Sequence, residues 1–354
     1  MLYWVFLLTG LLLSGISYAK QPLGLPPLPV PADNPQSAAK IDLGRRLFND
    51  KRFSADATIS CASCHHSDQV FTDGLPVAKG IGQQIGARNA PTLVNAAYFT
   101  YLFHDGRANS LEDQVLGPLT SPVEQGLKDL HLILKVVRQD KSYQSSFNTV
   151  FKIPPQAITM DHVVKAIASY ERSLIAADSA FDHYLFGRDR SRLSPSAARG
   201  YRLFRRKGNC ANCHEITWNH ALFTDNRFYN IGVGSKKLQA VLDAFISQFQ
   251  AGKSTEAINL TKIQRSELGR FNVTKVIADI GKFKTPSLRN IALTGPYMHD
   301  GSMQTLKEVI EYYDKGGEKN RFLDAAIFPL KLTQQEKQDL LSFLQALTSP
   351  QFIR

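Results

Sequence analysis

Apolar residues recur at i, i+3, i+4 steps in five stretches: Ser37 to Phe48, Asp161 to Ile175, Ser194 to Phe204, Thr305 to Tyr313 and Thr333 to Leu347. That spacing places them on one face of a helix, so each stretch is expected to be an amphipathic helix packing on a core. Thr333-Gln334-Gln335-Glu336 is a capping box, in which the threonine and glutamate side chains satisfy the first backbone N–H groups of the last helix. Gly316-Gly317 ends the helix before it. Alternating strand patterns are few and short, and long irregular connections separate the helices. A mainly α fold is expected.

The helical pattern occurs twice in the same order. Gly44-Arg45-Arg46-Leu47-Phe48 is matched by Gly200-Tyr201-Arg202-Leu203-Phe204, and Phe71-Thr72-Asp73 by Phe223-Thr224-Asp225. Pro91-Thr92-Leu93-Val94-Asn95 is matched by Pro286-Ser287-Leu288-Arg289-Asn290, and each proline is followed 13 residues later by His-Asp-Gly, at His104 and His299. Two domains related by internal duplication are therefore expected, at 20–188 and 189–354. The second half carries an insertion of about 46 residues, near 232–282, in which Leu238 to Phe249 has helical spacing.

All four cysteines fall inside this repeat, as Cys61-Ala62-Ser63-Cys64-His65 and Cys210-Ala211-Asn212-Cys213-His214. C-x-x-C-H is the c-type haem attachment pattern: two thiols form thioethers with the vinyl groups, and the adjoining imidazole reaches the iron. A zinc site would need about four ligands converging from both pairs, and a redox dithiol a βαβ setting that the pattern lacks. Two covalent haems are expected, with Cys61, Cys64, Cys210 and Cys213 as attachment points and His65 and His214 as iron ligands.

Twenty-seven residues after each repeat proline stand Pro118 and Tyr313. A tyrosine can ligate ferric iron as phenolate and a proline cannot ligate at all, so one iron is expected open and the other closed. Met298 and Met303 are rivals to Tyr313 as the second iron's ligand.

An apolar run from Leu2 to Leu13 followed by Ser17-Tyr18-Ala19 reads as a signal peptide over 1–19, with an uncleaved anchor as the alternative. Export to the periplasm follows, with no stable membrane span in the mature protein. The net charge of +11 favours an acidic partner or surface. Basic clusters such as Arg205-Arg206-Lys207 do not interleave with aromatics, so nucleic acid is not an expected partner.

Cys61-Ala62-Ser63-Cys64-His65, Arg88-Asn89-Ala90-Pro91-Thr92, Asp105-Gly106-Arg107-Ala108, Gly117-Pro118, Val123-Glu124, Leu288-Arg289-Asn290 and Pro296-Tyr297-Met298-His299-Asp300-Gly301 together resemble the bacterial di-haem cytochrome c peroxidase and MauG family. The likeness covers nearly the whole mature chain except the insertion. It implies two cytochrome c-like haem domains, a peroxidatic first haem with Gln114 and Glu124 in its distal pocket and Pro118 above it, and an electron-transfer second haem. It also implies a calcium ion between the domains, held by the Asn89 side chain and the carbonyls of Thr294 and Pro296. Hydrogen peroxide is the implied substrate, a small cytochrome c or cupredoxin the implied donor, and a homodimer an option.

Two positions depart from the family. Ile81 stands where the peroxidase branch places a histidine over the resting iron, and His104 where both branches place a tryptophan between the haems; Trp4 and Trp218 are the chain's only tryptophans. A MauG-like oxidase acting on tyrosine or tryptophan of a partner protein is the alternative function. A non-enzymatic electron carrier is a third.

Overall fold

The computed structural model describes residues 21–353; the segment read as a signal peptide, with Trp4, lies outside them. The first half builds α1 (Ala38–Phe48), α2 (Leu111–Thr120), α3 (His131–Gln139), α4 (Lys141–Phe151) and α5 (Met160–Arg172). The short α6 (Ala180–Leu185) ends the first half and packs Phe181 into the second core, and the second half builds α7 (Pro195–Arg205), then α8 (Ser235–Leu238), α9 (Leu242–Gln250), α10 (Lys262–Glu267) and α11 (Phe271–Thr274) in the insertion, and finally α12 (Leu306–Asp314) and α13 (Gln334–Gln345). Each of the five expected helices is present. The capping box of α13 forms as read: Thr333 Oγ1 accepts from the Glu336 N–H at 3.2 Å, and Glu336 Oε2 accepts from the Thr333 N–H at 2.7 Å. Gly316 and Gly317 take φ of 82° and 68°, the left-handed region that ends α12.

Both halves are built on the same helix crossing. In the first, α1 packs on α5; in the second, α7 packs on α13. A Cβ at Gly44 would collide with the Ala166 carbonyl oxygen, and one at Gly200 with the Asp339 carbonyl oxygen. The repeated glycine is therefore a point of backbone contact between paired helices, where no side chain fits. Around each crossing lies a separate core, with Leu43, Phe48, Phe147 and Ile167 in one and Phe181, Phe204, Phe223 and Phe343 in the other. The repeat extends to the loops, since Phe71 and Phe223, Asn95 and Asn290, and Gly106 and Gly301 all share positive φ. The molecule is mainly helical and internally duplicated.

The start of the described chain lies where the halves meet: the Ala221 N–H of the second half donates to the Gly24 carbonyl at 3.0 Å, and the Leu23 N–H donates to Asp178 near the end of the first half at 3.0 Å. Nearby, Arg289 and Asp182 form a fully buried ion pair at 2.9 Å.

The insertion has its own small core of Leu238, Phe245, Ile246, Leu268 and Phe271. Of the stretch expected to be helical across 238–249, α9 covers Leu242 to Phe249, and Leu238 instead ends the separate turn α8. Lys237 in α8 is tied to Glu267 at 2.8 Å and Asp300 at 2.7 Å, which fixes that turn. The chain bends after it to carry Phe245 and Ile246 onto Phe271. A two-residue antiparallel pair, β1 (Phe228–Tyr229) with β2 (Phe283–Lys284), closes the base of the insertion. From there the insertion holds both His-Asp-Gly loops. Arg270 donates to the carbonyls of Asp105 at 2.9 Å and Gly106 at 2.7 Å, while Glu267 accepts from His299 at 2.7 Å. Among the described residues no helix is long and apolar enough to cross a membrane.

Candidate functional site

The two C-x-x-C-H motifs form matching 3₁₀ turns at Cys61–Ser63 and Cys210–Asn212, and all four thiols are free of disulfides. His65 Nδ1 lies 3.0 Å from the Phe71 carbonyl oxygen, and His214 Nδ1 2.9 Å from that of Phe223 and 3.1 Å from that of Pro286. A carbonyl can only accept, so both imidazoles carry their proton on Nδ1 and keep the Nε2 lone pair for a metal. Burial pushes both rings below their ordinary 6.5, towards the neutral form that ligates. Phe48 lies 6.4 Å from His65 and tilted 45°, Phe204 6.4 Å from His214 and tilted 46°. The motif histidines are thus oriented by repeated packing, and their surroundings suit haem iron.

Beside the first motif, α2 carries Gln114 and Pro118 one turn apart. The Gln125 N–H donates to the Pro118 carbonyl at 3.1 Å, and Gln125 Nε2 approaches Cys61 Sγ at 3.5 Å. Glu124 precedes this bridge, and its carbonyl accepts from the Ile81 N–H at 2.8 Å. Pro118, Glu124, Ile81 and Cys61 are thereby brought together. The Glu124 carboxylate makes no hydrogen bond or ion pair among the described residues. Burial pushes it above the ordinary 4.5, with Arg107 and Lys262 pulling the other way. Gln114 is part-buried, and its amide has no hydrogen bond within the described chain. The guanidinium of Arg107 stacks on Phe103, 3.4 Å from the ring centre. Gln125 and Lys262 were not identified from the sequence; Gln125 is a neighbour of Glu124 whose significance depends on reaching Cys61 across the fold.

Beside the second motif is a mostly apolar cavity of about 270 Å³, lined by Cys210, Cys213, His214 and Tyr313 among others. The two tyrosines of α12 separate clearly. Tyr312 donates to the Ile231 carbonyl at 2.9 Å and accepts from the Glu318 N–H at 3.1 Å, whereas the Tyr313 hydroxyl has no hydrogen-bond partner among the described residues. Burial pushes the Tyr313 hydroxyl well above its ordinary 10, the direction expected for a phenol without a cation. Met298 also lines the cavity and Met303 does not.

Asn89, Thr294 and Pro296 border the same cavity. Asn89 Nδ2 donates to the Leu75 carbonyl at 2.7 Å, and neither Asn89 Oδ1 nor the carbonyls of Thr294 and Pro296 accept a hydrogen bond among the described residues. Oxygen donors of this kind suit calcium. His104 lines the cavity from the first half, with Nε2 3.1 Å from the Asn89 carbonyl oxygen. Burial, with Arg88 and His299 nearby, pushes His104 down to about 3, so it is neutral. Phe283 stacks on His299 with ring centres 3.6 Å apart. Imidazole and phenyl groups from both halves thus line the cavity.

The chain is similar to known proteins. The family described as di-haem cytochrome c peroxidase matches residues 38–190. The cytochrome-c peroxidase IdrP1 of Pseudomonas sp. (strain SCT) is 37% identical over 92% of this chain and 84% of its own. The methylamine utilization protein MauG of Methylorubrum extorquens is 34% identical over 90% and 81%. The crystal structure of a MauG-like protein associated with microbial copper homeostasis superposes with a TM-score of 0.78 at 34% identity, covering 95% of this chain and 96% of that one. The motifs with their oriented histidines, the duplicated helix crossing and these likenesses agree: this chain is a member of the di-haem cytochrome c peroxidase family, a haem-binding oxidoreductase.

Proposed function

We propose that this protein reduces hydrogen peroxide to water at the haem held by His65, with electrons from a small cytochrome c or cupredoxin passing through the haem held by His214. The observation that carries the reading is Glu124: a half-buried carboxylate without a partner among the described residues, adjoining Gln125, which bridges Cys61 and a proline that offers no ligand. Bound haem would supply the iron that receives peroxide and part of the electron store. The protein's residues then handle protons and position. Glu124 takes a proton from peroxide and returns it to the departing oxygen, so that peroxide, two protons and two electrons give two waters. Gln114 holds peroxide through its amide. The side chains of Pro118 and Ile81 carry no atom that could ligate iron, so neither would have to leave for peroxide to enter.

In this reading the first haem domain spans 20–188 and the second 189–354, Tyr313 closes the second iron, and calcium binds between the domains at Asn89, Thr294 and Pro296. The leader over 1–19 delivers the protein to the periplasm. A MauG-like oxidation of tyrosine or tryptophan in a partner protein is the second reading, favoured by the unpartnered Tyr313 hydroxyl in the cavity and by the likeness to MauG. Steady-state peroxide turnover with reduced cytochrome c separates the two. Rapid turnover supports the peroxidase; sluggish turnover with a long-lived oxidised protein supports the oxidase. Two six-coordinate low-spin haems unresponsive to peroxide would overturn both.

A further inference from the structure

Among the described residues, the cavity beside the second motif is bordered by a single lysine or arginine, Lys284, and by no aspartate or glutamate. Its ammonium donates to the Thr285 carbonyl at 2.8 Å and lies 4.7 Å from the centre of the Phe99 ring. No carboxylate comes within ion-pair distance of it among the described residues. Its backbone is fixed on both sides: the Lys284 N–H donates to the His104 carbonyl at 2.8 Å, and Lys284 pairs with Phe228 across β1 and β2. These contacts fix where the side chain leaves the backbone.

Withdrawing an ammonium from water is unfavourable unless an anion meets it. One carbonyl and one aromatic face are weak substitutes, and burial pushes the amine down to about 8, opposed only by Asp225. A haem brings two carboxylates on flexible propionate arms into a cavity otherwise lined by apolar and neutral groups. We propose that Lys284 is the counter-cation of a propionate on the haem attached at Cys210 and Cys213. The ion pair forms within the second half, at the edge where β2 meets Phe99 and His104 of the first half. It also sets that haem's potential, because a nearby positive charge opposes the ferric state more than the ferrous.

The inference rests on the second motif holding a haem, and the mass of the intact wild-type protein tests that separately: a mass short of two haems overturns both readings. With two haems present, Lys284→Met should retain them and move the second haem's reduction equilibrium about tenfold or more towards ferric, roughly 59 mV for one electron. Lys284→Arg, which keeps the charge, should stay within about threefold of wild type. An unchanged potential in a Met variant carrying two haems overturns the proposal. Should that variant fail to fold, a crystal structure of the haem-loaded wild type decides. Lys284 Nζ on a propionate oxygen supports the pair; Nζ still on Thr285, with both propionates bound elsewhere, overturns it.

Discussion

Glu267 of the insertion accepts a 2.7 Å hydrogen bond from His299 of the second His-Asp-Gly loop, and both side chains are almost wholly withdrawn from solvent. Its neighbour Ser266 accepts from Arg88 of the first half at 3.0 Å through its hydroxyl and its carbonyl. One short helix, α10, therefore grips both halves of the repeat. Burial would raise the Glu267 carboxyl, but His299 and Lys237 outweigh it and hold the group below its ordinary 4.5.

Removing that carboxylate leaves Lys237 and His299 without their shared partner. Glu267→Ala is expected to lose about 3 kcal/mol of stability, read by denaturant unfolding. The depressed acidity adds a pH signature: its stabilisation is fully present above 4.5 and fades as the pH falls through the lower folded-state value. A variant as stable as wild type at pH 7 would show that the clasp is decorative.

For the peroxide reaction, Glu124→Gln keeps the shape and removes the base. The rate of peroxide cleavage should fall by about 10²-fold or more while haem content is intact. Because burial raises this carboxyl, the acid limb of the wild-type rate should lie above pH 4.5 and disappear in the variant. Equal rates would remove Glu124 from the chemistry.

The two adjacent tyrosines make a paired test of the second iron's ligand. Tyr313→Phe should alter the low-spin electron spin resonance signal. Tyr312→Phe should leave that signal alone and cost about 1 kcal/mol or more through the lost bonds to Ile231 and Glu318. A silent Tyr313→Phe would move the assignment to a methionine, with Met298 the one that borders the cavity.

Alanine normally stabilises a helix by about 1 kcal/mol relative to glycine. At Gly44 the opposite is expected, since the new methyl would strike the Ala166 carbonyl of the partner helix. Gly44→Ala and Gly200→Ala should each lose about 1–3 kcal/mol in thermal unfolding, by overpacking. Stabilisation at either site would mean that the helix pairs can separate without penalty.

Much of this protein is local chemistry and was legible in its residue order. Haem attachment needs two thiols and an imidazole within five residues, and the caps of α12 and α13 lie within a turn of the helices they end. The duplication showed through short ordered matches, because each copy has to rebuild the same crossing at Gly44 and Gly200. Helical spacing in the insertion was also legible, but not its break, which follows from Lys237 being anchored to residues 30 and 63 positions away.

What only folding decided are relations between distant groups with no fixed spacing. Tyr312 and Tyr313 are alike in sequence; which hydroxyl is already satisfied depends on where Ile231 and Glu318 arrive. Lys284 reads as one more basic residue in a chain of net charge +11, until the fold leaves it alone at the edge of an apolar cavity. The periodicity of side chains determines which faces are buried, whereas desolvation and charge pairing depend on everything that closes around a group in three dimensions.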